Sequence, residues 1–181
     1  MIGNIPNILT LARILILPFF AVTLIYGEYQ YALVLFIAAS VTDILDGLIA
    51  RLTKQITYFG SILDPVADKF FLITSFILMS IYQLIPKWLT IIVISKDLIV
   101  VTGSLILYFV THSLKVEPSM LGKASSASQF FLIGLALLSR NMKDGFTVPL
   151  PLFVTVAVLT AMAGIDYVYK GLRTANTENP K

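Results

Sequence analysis

Cysteine is absent from this 181-residue sequence, and histidine occurs once, at His112. Without cysteine the chain can form no disulfide, use no thiolate as a nucleophile and bind no metal through a cysteine thiolate. A single histidine also excludes histidine-rich metal sites. Charged residues are scarce, at 13% of the chain, where soluble domains have about 25%. The net charge is only +3, and no basic run is interleaved with aromatic residues, so no nucleic-acid partner is expected.

Hydrophobic residues make up 57% of the chain, and the mean hydropathy is +0.90. They form blocks of about 20 residues, the length that a helix needs to cross a bilayer. We therefore predict an all-α integral membrane protein, a bundle of six transmembrane helices with a polar cavity that faces the cytoplasm. We expect residues 1–173 to form a single transmembrane domain and residues 174–181 to form a polar tail. The predicted spans are roughly 8–26, 31–52, 64–85, 88–110, 119–139 and 149–171.

Basic residues are distributed unevenly between the predicted loops. With both termini in the cytoplasm, seven lysines and arginines lie inside and three lie outside, which agrees with the positive-inside rule. The inside set is Arg51, Lys54, Lys115, Lys123, Lys170, Arg173 and Lys181, and the outside set is Lys87, Arg140 and Lys143. We predict a multi-pass protein of the cytoplasmic membrane, with both termini on the cytoplasmic side.

Four aspartates lie close together in this mostly apolar chain, at the predicted cytoplasmic ends of the second and third spans. Asp43 and Asp46 are three residues apart and share a helix face, as do Asp64 and Asp68, which are four apart. Four carboxylates near hydrocarbon repel one another unless cations neutralise them. An all-oxygen ligand set selects hard ions, so we predict Mg²⁺, with Mn²⁺ or Ca²⁺ as alternatives. The site would face the cytoplasm.

The residues around these aspartates fit a site that binds a phosphate ligand. Gly47, Ala50 and Gly60 leave space beside the helices, and Arg51 adds a planar cation suited to phosphate. Pro65 is compatible with the first position of a helix or with a kink. Two other interpretations are open: the aspartates could cap helices and solvate a loop, or they could carry ions in a coupled transporter.

The acidic segment resembles the signature of the CDP-alcohol phosphotransferase family, D-x2-D-G-x2-A-R followed by G-x3-D-x3-D. All eight positions are present: Asp43, Asp46, Gly47, Ala50, Arg51, Gly60, Asp64 and Asp68. The chain length and the six predicted spans also match the family's core. The resemblance implies an enzyme that transfers a phosphatidyl group from a CDP-linked lipid to an alcohol and releases CMP.

The resemblance also implies roles for these residues. Asp43, Asp46 and Asp64 would bind a pair of divalent metal ions. Asp68 would neighbour the metals and act as the general base that accepts the alcohol's proton. The residues lining the CDP pocket would be Gly47, Ala50, Arg51 and Gly60. Family members are commonly homodimers, so a homodimer is expected here. The partners are CDP-diacylglycerol, an alcohol and the lipid bilayer.

The amino-terminal segment NIPNILTLARI resembles the start of bacterial phosphatidylglycerophosphate synthases, which use glycerol 3-phosphate as the alcohol. Asn7, Thr10 and Arg13 line one side of the first helix, where an arginine could bind phosphate. With Lys96 and Lys123 they are our candidate acceptor-binding residues.

One position departs from the synthases' Gly-Lys-x-Lys-Thr pattern, because Ser125 stands where the second lysine is expected. A neutral acceptor such as phosphatidylglycerol, in a cardiolipin-type synthase, is therefore an alternative, as are inositol phosphate and serine. A catalytically silent family member is a further alternative.

Overall fold

The structure is a computed structural model that describes residues 5–53, 58–111, 119–142 and 146–177. Within these ranges the side chains of residues 5–9, 44, 46–53, 58–66, 107–111 and 174–177 lie outside the description. The described residues form helices without a strand, which confirms the prediction of an all-α fold. The helices are α1 (Ile5–Ile25), α2 (Tyr29–Thr53), α3 (Tyr58–Ile81), α4 (Lys87–Thr111), α5 (Met120–Asn141) and α6 (Leu150–Thr177).

Three helix boundaries lie more than three residues from their predicted positions. Helix α3 begins at Tyr58, six residues before the predicted start, and ends at Ile81, four residues before the predicted end. The sequence predicts a break over residues 53–61, whereas the glycine at position 60 costs a helix only about 1 kcal/mol. Asp64 therefore lies inside α3, and its interpretation as a helix cap is wrong, as is the first helical position for Pro65. Helix α6 runs through Thr177, into the segment predicted as the polar tail.

One residue in each of the connections after α1 and α3 adopts the left-handed backbone conformation. Gly27 follows α1 with φ 74°, and Glu28 N donates to Thr23 O at 2.8 Å while Gly27 N donates to Leu24 O at 3.2 Å. This pair of bonds is the Schellman motif, which satisfies the last carbonyls of a helix. Gln83 takes the same conformation after α3, with φ 57°. The turn at Gly27 allows α2 to begin at Tyr29 and pack back against α1.

The chain divides into two compact units. Unit 1 comprises Met1–Ile85 and Ile133–Val148, and therefore contains α1, α2, α3 and the second half of α5. Helix α1 packs against both α2 and α3. One aromatic side chain from each of these helices meets in the core: Phe20 lies 5.5 Å from Phe71 and 6.4 Å from Phe36 between ring centroids. Such ring pairs add about 1 kcal/mol beyond burial, and they fix the relative positions of the three helices that carry the site.

Unit 2 comprises Pro86–Leu132 and Pro149–Lys181 and is built on the packing of α4 against α6. Two glycines permit the close approach. A Cβ on Gly103 would lie 3.1 Å from a ring carbon of Tyr167, and a Cβ on Gly164 would lie 3.3 Å from Cγ of Lys96. Each glycine thus receives a large side chain from the opposite helix, as small residues do where membrane helices pack closely.

Three helices of the described chain are long and apolar enough to cross a membrane: Lys87–Ile106, Met120–Asn141 and Leu150–Arg173. Large apolar side chains are exposed in both units, including Phe19 at 65% and Leu98 at 66%. Exposed apolar side chains along helices are expected where lipid takes the place of water. The structure therefore supports a membrane protein with at least three spans, and membrane crossing by α1, α2 and α3 stays a prediction.

Candidate active site

Arg13 occupies the centre of the polar site in unit 1. Its side chain is only 2% exposed, and its two terminal nitrogens bind different carboxylates. Nη2 forms an ion pair with Asp43 Oδ1 at 2.9 Å, and Nη1 donates to Asp68 Oδ1 in a second ion pair. One guanidinium from α1 thus joins an aspartate of α2 to an aspartate of α3. The two aspartate-bearing helices meet at this arginine.

The burial of these three groups is unequal. The arginine is enclosed, whereas the Asp43 and Asp68 side chains are 31% and 34% exposed. Arginine does not deprotonate in proteins, so its charge must be balanced where it is buried. Removing one partner of a buried ion pair typically destabilises a protein by about 3–5 kcal/mol. The two carboxylates therefore balance the buried charge of Arg13 while about a third of each side chain stays exposed.

The remaining predicted metal ligands are placed only by their helices. Asp46 follows Asp43 by three residues in α2, and Asp64 precedes Asp68 by one turn in α3. Their side chains lie outside the described residues, as do those of the predicted pocket residues Gly47, Ala50, Arg51 and Gly60. Among the side chains that are described, no group of three or more acids or histidines is close enough to hold a metal. The metal prediction is therefore untested.

The donor set nevertheless fits a hard divalent cation. Asp43 and Asp68 supply carboxylate oxygens, the ligands that Mg²⁺ and Mn²⁺ prefer. Both already bind a cationic group, the guanidinium of Arg13. Asp46 lies one helical turn from Asp43 in α2, and Asp64 lies one helical turn from Asp68 in α3. The local chemistry is that of a site built to bind positive charge.

The predicted acceptor residues fall in both units. Thr10 is fully buried one turn before Arg13 in α1, and the side chain of Asn7 lies outside the described residues. Lys96 and Lys123 belong to unit 2. The structure thus brings Arg13 to Asp43 and Asp68, with Thr10 a helical turn away, and it assigns the two lysines to the other unit.

Lys96 is paired with its neighbour in the chain. Its Nζ lies 2.9 Å from Asp97 Oδ1, and the two side chains are 10% and 4% exposed. Its aliphatic part passes over Gly164 of α6. The charge of Lys96 is therefore balanced inside unit 2, and a phosphate would have to compete with Asp97 for it. Lys123, in contrast, is exposed in the first turn of α5.

Ser125 belongs to a buried cluster that the sequence interpretation missed. Ser125 Oγ donates to Thr160 Oγ1 at 3.2 Å, and Gln129 Nε2 donates to the same oxygen at 3.0 Å. All three residues are fully buried in unit 2. The sequence did contain one signal for this cluster, because Ser125 and Gln129 are polar residues four apart in the apolar helix α5. Their partner Thr160 lies on α6, 31 residues after Gln129. The position where a second lysine was expected is therefore neutral and enclosed.

Tyr167 packs against α4. Its ring lies over Gly103, and its hydroxyl forms a hydrogen bond with Ser104 Oγ. The nearby Lys170 Nζ to Asp166 Oδ2 pair, at 2.9 Å, is an exposed link within α6. Tyr167 is thus part of the α4–α6 contact.

Fold and site together define a helical membrane protein in which an aspartate of α2 and an aspartate of α3 bind one arginine of α1. The profile of the CDP-alcohol phosphatidyltransferase family matches residues 3–165. The chain therefore belongs to this family, and it is a membrane phosphatidyltransferase of phospholipid biosynthesis. The resemblance found in the acidic segment is confirmed.

Named relatives extend over nearly the whole chain. The CDP-diacylglycerol–glycerol-3-phosphate 3-phosphatidyltransferase of Bacillus subtilis is 31% identical, over 97% of this chain and 99% of its own length. A probable phosphatidylglycerophosphate synthase of Mycobacterium tuberculosis is 34% identical, over 95% of this chain and 83% of its own. A probable cardiolipin synthase (CMP-forming) of Drosophila melanogaster is 32% identical, over 75% of this chain and 47% of its own. The relatives therefore include two acceptor classes.

Proposed function

We propose that this enzyme transfers the phosphatidyl group of CDP-diacylglycerol to glycerol 3-phosphate and releases CMP. The observation that carries the proposal is the meeting of Asp43 and Asp68 at one cationic group, in a chain of this family. Relatives named for this reaction cover nearly the whole length of the chain. The reaction joins a lipid donor to a charged alcohol, so the site must be reached from both bilayer and cytosol.

Asp43, Asp46, Asp64 and Asp68 are the residues proposed to hold two divalent ions, Mg²⁺ or Mn²⁺. Such ions supply charge neutralisation for the diphosphate and for the departing CMP. The pocket for the CDP group is proposed to be lined by Gly47, Ala50, Arg51 and Gly60. Two of the four carboxylates are described, and both are partly open to solvent, which supports access for a cation and a phosphate.

Asp68 is the proposed general base. The acceptor oxygen attacks the β-phosphorus of the donor, the bond from that phosphorus to the oxygen of CMP breaks, and the acceptor's proton passes to the Asp68 carboxylate. CMP departs with the electron pair of the broken bond. Asp68 keeps one-third of its side-chain surface exposed, so its carboxylate is accessible to an acceptor hydroxyl.

The phosphate of the acceptor is assigned to Asn7, Thr10, Arg13, Lys96 and Lys123. The described geometry favours Lys123, because it is the exposed cation among them, while Arg13 and Lys96 are already paired with aspartates. A phosphate dianion binds best where two or more donors converge. Among these residues Lys123 is therefore the proposed primary contact of the acceptor phosphate.

A second acceptor is favoured by a specific observation. Ser125 is neutral and buried, and Lys96 is neutralised by Asp97, so unit 2 offers less free positive charge than a phosphate dianion would use. Phosphatidylglycerol carries no phosphomonoester, and a cardiolipin-type reaction would suit this site. The relative named as a probable cardiolipin synthase is consistent with it.

One experiment distinguishes glycerol 3-phosphate from phosphatidylglycerol as the acceptor. The purified protein is incubated with CDP-diacylglycerol, Mg²⁺ and each acceptor separately, and released CMP is measured with the lipid product. Rapid release with glycerol 3-phosphate supports the main proposal, and release with phosphatidylglycerol alone supports the cardiolipin-type reaction. No release with any acceptor, including inositol phosphate and serine, would refute both. Solute transport by vesicles without CMP release would instead support a transporter.

We also propose that all six helices cross the cytoplasmic membrane, that both termini and the acidic site face the cytoplasm, and that the enzyme works as a homodimer. Residues 1–173 would form one catalytic domain. The natural absence of cysteine makes orientation directly measurable, because each single introduced cysteine is the sole labelling site. A cysteine at position 28 that reacts with an impermeant maleimide only from the cytoplasmic side would overturn the proposed orientation.

A further inference from the structure

Arg13 is the most deeply buried charged group of unit 1 for which exposure is described, and it lies between two of the proposed metal ligands. Its residue exposure is 1%. Its Nη1 and Nη2 bind one oxygen each of Asp68 and Asp43. A guanidinium presents its donors in a rigid fork, so a single side chain spans carboxylates from two helices. This geometry differs from that of an arginine waiting in an open pocket for a phosphate.

Arg13 supplies the positive charge that the aspartates need when no metal is bound. Carboxylates held together in a partly buried site repel one another. The guanidinium is enclosed, whereas the Asp43 and Asp68 side chains are 31% and 34% exposed. An arginine side chain does not lose its proton in proteins, so its positive charge remains and repels a metal ion that binds to the same carboxylates.

We propose that Arg13 is a built-in counter-cation that holds Asp43 and Asp68 together in the metal-free enzyme and thereby weakens divalent-metal binding. This inference rests on the metal site of the proposed function. The guanidinium and a divalent ion compete for the same negative charge and repel each other. Arg13 is in this sense a positioning residue, which keeps the acidic site assembled when it holds no metal and limits how tightly it holds one.

The test measures metal affinity in the absence of nucleotide and lipid. The full-length protein is purified in detergent, stripped with a chelator and titrated with Mn²⁺, and free Mn²⁺ is followed by electron paramagnetic resonance. The variants are Arg13→Gln, which removes the charge, and Arg13→Lys, which keeps a charge but cannot span two carboxylates. Arg140→Gln is the matched control, because Arg140 is an exposed arginine at the end of α5 in the same unit.

Arg13→Gln is expected to bind Mn²⁺ roughly ten- to a hundredfold more tightly than the unmodified protein, as follows from losing one charge–charge contact. Arg13→Lys should lie between them, and Arg140→Gln should not differ from the unmodified protein. Thermal unfolding gives a second readout: Mn²⁺ should raise the Tm of Arg13→Gln more than that of the unmodified protein. If Arg13 acts as a counter-cation, its removal must produce both the tighter Mn²⁺ binding and the larger rise in Tm.

Other results would overturn the inference. Unchanged or weaker Mn²⁺ binding by folded Arg13→Gln would mean that the guanidinium does not compete with the metal. An Arg13→Gln protein that unfolds without metal and is restored by Mn²⁺ supports the inference, whereas one that stays unfolded at saturating Mn²⁺ contradicts it. Failure of the unmodified protein itself to bind Mn²⁺ would refute the proposed metal site, a different outcome from equal binding by protein and variant.

Discussion

Replacing Asp43 with asparagine tests how strongly unit 1 depends on the Arg13 ion pairs. The substitution keeps the size of the side chain and removes its charge, so Arg13 keeps Asp68 as an anionic partner. Breaking a fully buried pair would cost about 3–5 kcal/mol. Asp43 is 31% exposed, and its loss also relieves repulsion among the aspartates. We therefore expect a smaller destabilisation of about 2 kcal/mol.

For a protein of this size that free energy corresponds to a fall in Tm of about 4–8 °C. The measurement is thermal unfolding in detergent with a chelator present, so that no divalent ion takes over the role of Arg13. Asp166→Asn is the matched control, because it breaks an aspartate–lysine pair on the exposed surface of α6 and should lower the Tm far less. The double variant Arg13→Gln with Asp43→Asn should be less destabilised than the sum of the two single variants.

An Asp43→Asn protein that melts at the same temperature as the unmodified protein in chelator would refute this reasoning. Additivity of the two single effects in the double variant would refute it too, since independent residues give additive changes. Either result would mean that the Arg13–Asp43 ion pair does not stabilise the metal-free protein. It would also refute the counter-cation role of Arg13.

Three further predictions address the base and the packing of unit 2. Asp68→Asn should lower CMP release at least about a hundredfold while CDP-lipid binding persists; near-normal turnover would assign the base elsewhere. Gly103→Ala should destabilise the enzyme by about 1–3 kcal/mol, because the new methyl meets the Tyr167 ring at 3.1 Å, and the added variant Tyr167→Leu should recover part of the loss. Thr160→Val should cost about 1–3 kcal/mol in chemical unfolding, because Ser125 Oγ and Gln129 Nε2 lose a shared buried acceptor and Gln129 keeps only Ser125 Oγ, whereas Thr160→Ser should cost less.

The helices were predictable because hydrophobic blocks and their breakers are local features. Five helix starts lie within three residues of their predicted positions, and the start of α3 was misplaced because the sequence predicts a break over residues 53–61. The family was predictable because its eight signature residues lie within a single segment. Helix propensity and motif spacing are both readable without knowledge of how the helices pack.

The partners of Arg13 were not predictable, because they lie 30 and 55 residues away on two other helices. Sequence spacing indicated which side of α1 carries Arg13, but nothing in it indicated whether that side would face a phosphate or the aspartates. The Ser125 cluster was missed for the same reason, since its acceptor is on α6. Contacts within a helix follow from the sequence, whereas contacts between helices depend on packing.

The Lys96–Asp97 pair has a consequence for how α4 enters the bilayer. Two isolated charges at mid-helix would oppose insertion by the translocon by about 5–7 kcal/mol. Because these two residues are adjacent and joined at 2.9 Å, each offsets part of the other's cost within the helix. Helix α4 can therefore carry both charges across a bilayer at a lower cost than two separated charges would impose.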